Sequence, residues 1–187
     1  MHPGAIVIGT SAGGMEALAQ IIPKLPANFP VPIIIVQHIS PHSENYITVY
    51  LNKLSKLKVK EADEKEVVKA GTVYLAPPNY HLLIELDKTL SLATSERVSY
   101  ARPSIDILFD TAAEAYGRWL IGVLLTGANH DGAKGLLKIH NFGGVTIVQN
   151  PATAEVNMMP QSALDLFHPT KILDVENIAE YLVRITS

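Results

Sequence analysis

With 187 residues, 48% of them apolar and 18% charged, the chain has the composition of a globular protein able to bury one continuous core. Its net charge is −3 and no run of Lys or Arg forms a basic stripe, which argues against nucleic acid or an anionic membrane as partner. Cysteine is absent, so disulfides and thiolate chemistry are excluded, and no apolar run approaches the ~20 residues that span a bilayer.

Met1-His2-Pro3-Gly4 leads straight into an apolar run and leaves no room for a signal peptide, so a cytoplasmic setting is expected. Five short apolar runs rich in β-branched residues read as strands, at 5–8, 32–36, 72–76, 120–125 and 145–148. Each is apolar at consecutive positions, the pattern of parallel strands covered on both faces. Between them lie helical patterns. Residues 14–22 carry Met15, Leu18, Ile21 and Ile22 at helical spacing and stop at Pro23. Residues 43–57 place Tyr46, Val49, Tyr50, Leu54 and Leu57 on one side. The segment 53–69 mixes Lys with Glu61, Asp63, Glu64 and Glu66 and reads as a solvated face. Residues 81–94 alternate, with Asp87-Lys88 between 82–86 and 90–93, and predict an antiparallel hairpin. Further helices are expected at 104–116, opened by a Ser104 cap after Pro103, at 132–140 and at 178–185. The alternation predicts an α/β fold: three layers, a doubly wound and mostly parallel sheet, with the hairpin as an insertion. One domain, 1–187, is expected.

Gly9-Thr10-Ser11-Ala12-Gly13-Gly14 joins the first strand to the first helix, and Gly9 to Gly13 fits the G-x-S-x-G nucleophile elbow. Small residues suit a backbone that must reverse sharply and present a hydroxyl above a helix N-terminus, where free N–H groups can stabilise an oxyanion. A phosphate-binding reading lacks its G-x-G-x-x-G, because Ser11 stands at the second glycine position. A tight turn whose Ser only caps the helix is the alternative.

A hydroxyl nucleophile needs a base. His38 follows the second strand directly and falls at the carboxyl edge, where open α/β sheets place ligands. A metal pair of His38 and His42 is opposed by Pro41 and by the lack of an evident third ligand. His140 and His168 read as surface residues. Asp131 sits in Thr126-Gly127-Ala128-Asn129-His130-Asp131-Gly132, after a buried strand and before a helix. Spacing alone leaves it either a helix cap or a catalytic acid. A P-loop here fails, since Ala133 intervenes before Lys134 and no Ser or Thr follows. The order Ser, His, Asp differs from that of α/β-hydrolases, which excludes that fold and leaves the chemistry open.

Taken together, these segments resemble the catalytic domain of the chemotaxis protein-glutamate methylesterase (CheB-type) family. The likeness runs from 6–14 through Leu25-Pro26-Ala27-Asn28-Phe29-Pro30, Val36-Gln37-His38, 71–78 and Arg102-Pro103-Ser104-Ile105-Asp106. It continues through 124–135 to Val148-Gln149-Asn150 and Met159-Pro160, nearly the whole chain in order. The resemblance implies Ser11 as nucleophile, His38 as base and Asp131 as the acid that orients it. It also implies main-chain N–H groups of Ala12 and Ala128 at the oxyanion, and no cofactor or metal. The implied reaction is hydrolysis of glutamate γ-methyl esters on chemoreceptor cytoplasmic helices, with glutamine deamidation in some members. Ala128-Asn129-His130 departs from the family's usual Met-Gly-Asn, and the family's receiver domain is not in the sequence. Either the sequence is one domain cut from a longer protein, or regulation is supplied some other way, with a separate receiver or signalling domain as the expected partner. The alternatives are a non-catalytic receptor-binding module on the same fold, and an esterase with another substrate.

Overall fold

The computed structural model describes residues 3–38, 45–98 and 100–187. His42, and Ser43 at which the second predicted helix starts, lie outside them.

Among the described residues, seven strands form one sheet in which every pairing is parallel. In chain order they are β1 (Ala5–Thr10), β2 (Ile33–Gln37), β3 (Lys58–Glu61), β4 (Thr72–Leu75), β7 (Leu120–Leu124), β8 (Val145–Gln149) and β9 (Lys171–Leu173). Across the sheet they run β3-β4-β2-β1-β7-β8-β9, so the chain winds outward from β1 in one direction and then in the other. The crevice between the carboxyl ends of β1 and β7 is therefore a topological switch point, the place where doubly wound sheets bind ligands. The hairpin forms a sheet of its own, β5 (His81–Ile84) antiparallel to β6 (Leu90–Ala93).

The consecutive apolar runs resolve into two alternating sets. Ile6, Ile8, Ile33, Ile35, Val73, Leu75, Ile121 and Val123 point into one core, shared with α1 (Gly14–Ile21), α2 (Tyr46–Leu54) and α6 (Val175–Thr186). Ala5, Val7, Ile34, Val36, Tyr74, Leu120, Leu124 and Val148 point into the other, shared with α3 (Ile105–Tyr116), α4 (Ala133–Asn141), α5 (Met158–Leu164) and the hairpin. A period-2 strand covered on both faces needs apolar residues at every position, and that is what reads as an unbroken run. Each fully buried Ile or Leu contributes roughly 1.5–3 kcal/mol, so the central strands anchor the rim above them.

The structure departs from the sequence reading in four places. Helix α2 ends at Leu54, and Tyr46, Val49 and Leu54 of its predicted buried side face solvent while Thr48 and Leu51 are buried. The stacked pair Tyr46–Tyr50 shelters part of that apolar surface within the helix itself. Within the charged segment, Lys58–Glu61 is the edge strand β3; only Val59 enters the core, and Lys60 is paired with Asp63 and Glu66. The other edge strand, β9, is three residues long and exposed at Lys171 and Ile172, so it carries no apolar signature. Helix α5 is not foreseen because Pro160 interrupts it in sequence; in its first turn a proline costs no hydrogen bond.

Candidate active site

The turn after β1 is shaped by its neighbours. A Cβ at Gly9 would stand 2.2 Å from Cγ2 of Ile105, the first residue of α3, and one at Gly132 would stand 2.6 Å from the same atom. Absence of both side chains lets the N-terminus of α3 press onto the carboxyl rim of β1 and β7. Gly13 serves the backbone instead, and its φ of 77° turns the chain into α1.

Ser11 lies one residue beyond β1, half-buried, and is tied on both sides. Its N–H donates to the carbonyl of Thr126 (2.9 Å). Its carbonyl accepts from Nε2 of Gln37 (2.8 Å), which also donates to the carbonyl of His38 (3.0 Å). Thr10 Oγ1 donates to the same Thr126 carbonyl (2.9 Å), and Thr126 Oγ1 donates to the carbonyl of Ala12 (2.8 Å). The loops after β1 and β7 are thereby stitched together, and Ala12 and Ala128 come to lie exposed on adjacent loops at the same rim. Among the described residues, neither of their N–H groups has an intramolecular acceptor.

His38 continues β2, and its N–H donates to the carbonyl of Thr10 (3.0 Å), so base and hydroxyl issue from neighbouring strands at one level. Its ring is 12% exposed, and Nε2 lies 2.7 Å from Oδ2 of Asp131. Because an ionised carboxylate only accepts, Nε2 carries the proton and Nδ1 presents the lone pair. Among the described residues, the Ser11 hydroxyl makes no hydrogen bond to this ring; such contacts are often long until substrate is bound.

Asp131 is fully buried, and it is a cap, though not of the helix it precedes. Among the described residues, no side chain caps the start of α4. The Asp131 carboxylate instead crosses to α3, where Oδ2 accepts the N–H of Ile105 (2.7 Å) and Oδ1 accepts that of Asp106 (3.0 Å). Ser104, expected to cap α3 with its own hydroxyl, donates that hydroxyl to Oδ1 of Asp131 (2.9 Å). Burial pushes the Asp131 carboxyl upward, but the donors at His38, Asp106 and Ile105 outweigh it and hold the group below the usual range. The reading of Asp131 as a cap of the helix that follows it is therefore corrected: its carboxylate caps α3, and the same carboxylate holds the His38 ring.

Three contributors escape the sequence reading. Buried His81 accepts the Ser104 N–H at Nδ1 (3.1 Å) and donates from Nε2 to the Glu96 carbonyl (2.9 Å), steadying the start of α3. Gln37 fixes the turn at Ser11 through the two carbonyls it bridges. Asn129 accepts the Asp131 N–H at Oδ1 (3.0 Å) and brings Nδ2 to 3.3 Å from Nδ1 of His38. The adjacency of Gln37 to His38 hints at the role of Gln37 and the departure at Ala128-Asn129-His130 marks Asn129, while nothing in the sequence points to His81. His140 and His168 are exposed, as expected. Asp106 accepts the Gly135 N–H (2.7 Å); burial, with the nearby Asp131 charge, raises its carboxyl to about 6. Among the described residues, no group of three or more His, Asp or Glu is arranged to hold a metal ion.

The family model described as CheB methylesterase matches residues 6–182. The chain belongs to the CheB methylesterase family. The crystal structure of the Thermotoga maritima CheB methylesterase catalytic domain superposes with a TM-score of 0.94 at 38% identity, covering 99% of this chain and all of that one. A Leptospira interrogans protein named "Putative protein-glutamate methylesterase/protein-glutamine glutaminase" is 54% identical over 99% of this chain and 96% of its own length. The protein-glutamate methylesterase/protein-glutamine glutaminase of Archaeoglobus fulgidus is 39% identical over 96% of the chain, which spans 52% of that protein. The three-layer parallel fold of this CheB-family chain is that of the Thermotoga domain. No helix among its described residues is long and apolar enough to cross a membrane.

Proposed function

We propose that the chain is a serine-type carboxylic ester hydrolase that cleaves glutamate γ-methyl esters on the cytoplasmic helices of chemoreceptors, and deamidates glutamine by the same route. The observation that carries this reading is the His38–Asp131 pair (2.7 Å), its carboxylate fully buried, standing beside Ser11 at the switch point of a CheB-family sheet.

In this mechanism Oγ of Ser11 attacks the ester carbonyl while Nδ1 of His38 takes the hydroxyl proton. The N–H groups of Ala12 and Ala128 receive the developing oxyanion, whose stabilisation by one such donor is worth about 3–4 kcal/mol. Asp131 keeps the Nε2 proton in place and stabilises the imidazolium. As the tetrahedral intermediate collapses, the carbonyl re-forms and the C–O bond to the methoxy group breaks. His38 returns its proton to the departing oxygen, and methanol leaves. Water then attacks the acyl-enzyme with His38 again as base, releasing the free glutamate and regenerating Ser11. With a glutamine substrate the leaving group is ammonia.

The decisive assay is methanol release from a methylated receptor fragment, with Ser11→Ala as control. Release that disappears in the variant supports the reading; equal release from both proteins overturns the nucleophile assignment. Activity on small esters without activity on receptor fragments overturns the substrate while keeping the chemistry. A receiver or signalling domain is the proposed regulatory partner.

A further inference from the structure

We infer that Asn129 is a positioning residue that holds the lone pair of the base in the resting enzyme and must yield it to the Ser11 hydroxyl before attack. The inference rests on the proposed roles of Ser11 and His38.

The orientation of the Asn129 amide is not arbitrary. Oδ1 is engaged by the N–H of Asp131 (3.0 Å), an Asx turn within the loop after β7. With the oxygen fixed there, Nδ2 faces His38, 3.3 Å from Nδ1. An amide nitrogen only donates, and Nδ1 is the acceptor nitrogen because Nε2 donates to Asp131. The three groups form one consistent chain, Asn129 Nδ2–H to Nδ1, then Nε2–H to the carboxylate. The same Asp131 supplies an N–H that orients Asn129 and a carboxylate that orients His38, so both sides of the ring are set by one residue.

An imidazole nitrogen has one lone pair, and the Ser11 hydroxyl needs the same one to lose its proton. Once Nδ1 has taken that proton, it faces a second donor at Asn129 and the two repel. The amide contact therefore matches the ring before reaction and opposes the ring during it. At 3.3 Å it is a long bond, weak enough for a well-placed hydroxyl to displace. Asn129 thus sets the fraction of molecules in which Ser11 is activated, and substrate that seats the hydroxyl against His38 shifts that fraction.

The test uses Asn129→Ser and Asn129→Asp. Serine can keep the turn by accepting the Asp131 N–H but is too short to reach the ring. Aspartate keeps the acceptor and places a carboxylate where the amide stood, trapping a proton on Nδ1. Two readouts are made on the intact chain: the rate of Ser11 modification by a fluorophosphonate, and the ¹⁵N resonance of His38 Nδ1. Asn129→Ser is expected to label roughly 3–10-fold faster, with Nδ1 moving to the position of an unbonded acceptor and the Nε2–H tautomer kept. Asn129→Asp is expected to label at least about 10-fold more slowly. Equal rates and an unmoved Nδ1 resonance in Asn129→Ser overturn the inference, as does faster labelling of Asn129→Asp. Slower labelling of Asn129→Ser also overturns it, for Asn129 would then assist attack. A wild-type chain that does not label at Ser11 sinks the nucleophile assignment itself, and the inference with it.

Discussion

The two halves of the proposed triad are built by opposite rules. The acid and base are constructed like a protein core: Asp131 is fully buried with four donors on its carboxylate, and His38 is held between neighbouring strand, carboxylate and amide. The nucleophile and the expected oxyanion donors are an open edge, with Ser11 half-buried and Ala12 and Ala128 exposed. The difference teaches that orientation of the imidazole is fixed by folding, whereas the electrophile-binding half is left for substrate to complete. Substitutions should therefore separate cleanly: those on the open side cost turnover alone, and those on the closed side cost turnover and stability together.

The largest effect should come from Ser11→Ala, which is expected to lower methanol release roughly 10⁴–10⁶-fold while moving stability by no more than about 0.5 kcal/mol. A stability loss of several times that amount, by urea titration, would break the contrast between the halves. Asp131→Asn comes next. It is expected to cost about 10⁴-fold in turnover by spoiling the tautomer and about 1–3 kcal/mol in stability, because an amide cannot accept every donor aimed at it. Normal stability with lost turnover would show that the cap on α3 is energetically idle.

Gly9→Ala probes the contact of α3 with the sheet rim. The new Cβ would fall 2.2 Å from Ile105, so α3 must shift, at an expected cost of about 1–3 kcal/mol of overpacking, to be read by thermal melting. Ser104→Ala removes one donor to Asp131 and should cost about 1 kcal/mol with at most a few-fold change in turnover.

The smallest effect is a slope. Asp106 titrates near 6 in the fold against an ordinary 3.8, so between about pH 4 and 6 the folded state binds more protons than the unfolded one. At this site stability falls as pH rises through that window and is flat above it. Asp131, held below its ordinary value, acts oppositely: its contribution is present above about 3.8 and is lost as pH falls further. Asp106→Asn should remove the first slope and leave the second, which denaturant titrations from about pH 3 to 7 resolve.

How much of this is legible in the sequence depends on where the information sits. Central strands announce themselves because burial on both faces demands apolar residues in succession, as in Ile33–Gln37 with its three isoleucines. The edge strands Lys58–Glu61 and Lys171–Leu173 answer only to backbone pairing, so their side chains say little. The face of α2 misleads because its tyrosines, stacked on each other at 6.0 Å, supply an apolar stripe that is not the buried one. At the site, Ser11, His38 and Asp131 are visible because each follows a strand. Asp131 as the cap of α3 is not, since the helix it serves begins 26 positions before it and meets it only after the sheet has formed. Asn129 stands out only as a departure from a pattern, because its contact depends on an amide orientation set by an Asx turn.

A carboxylate offers four lone pairs, and at Asp131 all four are spoken for: Ser104 and Asp106 on one oxygen, His38 and Ile105 on the other. A proton passing along the His38 bond would neutralise a carboxylate at which three other donors are still aimed, so those donors oppose the transfer. In the proposed mechanism, the hydrogen that His38 collects therefore stays on the ring until the departing group claims it. There the aspartate would work as a fixed counter-charge, kept ionised by the helix that begins on it.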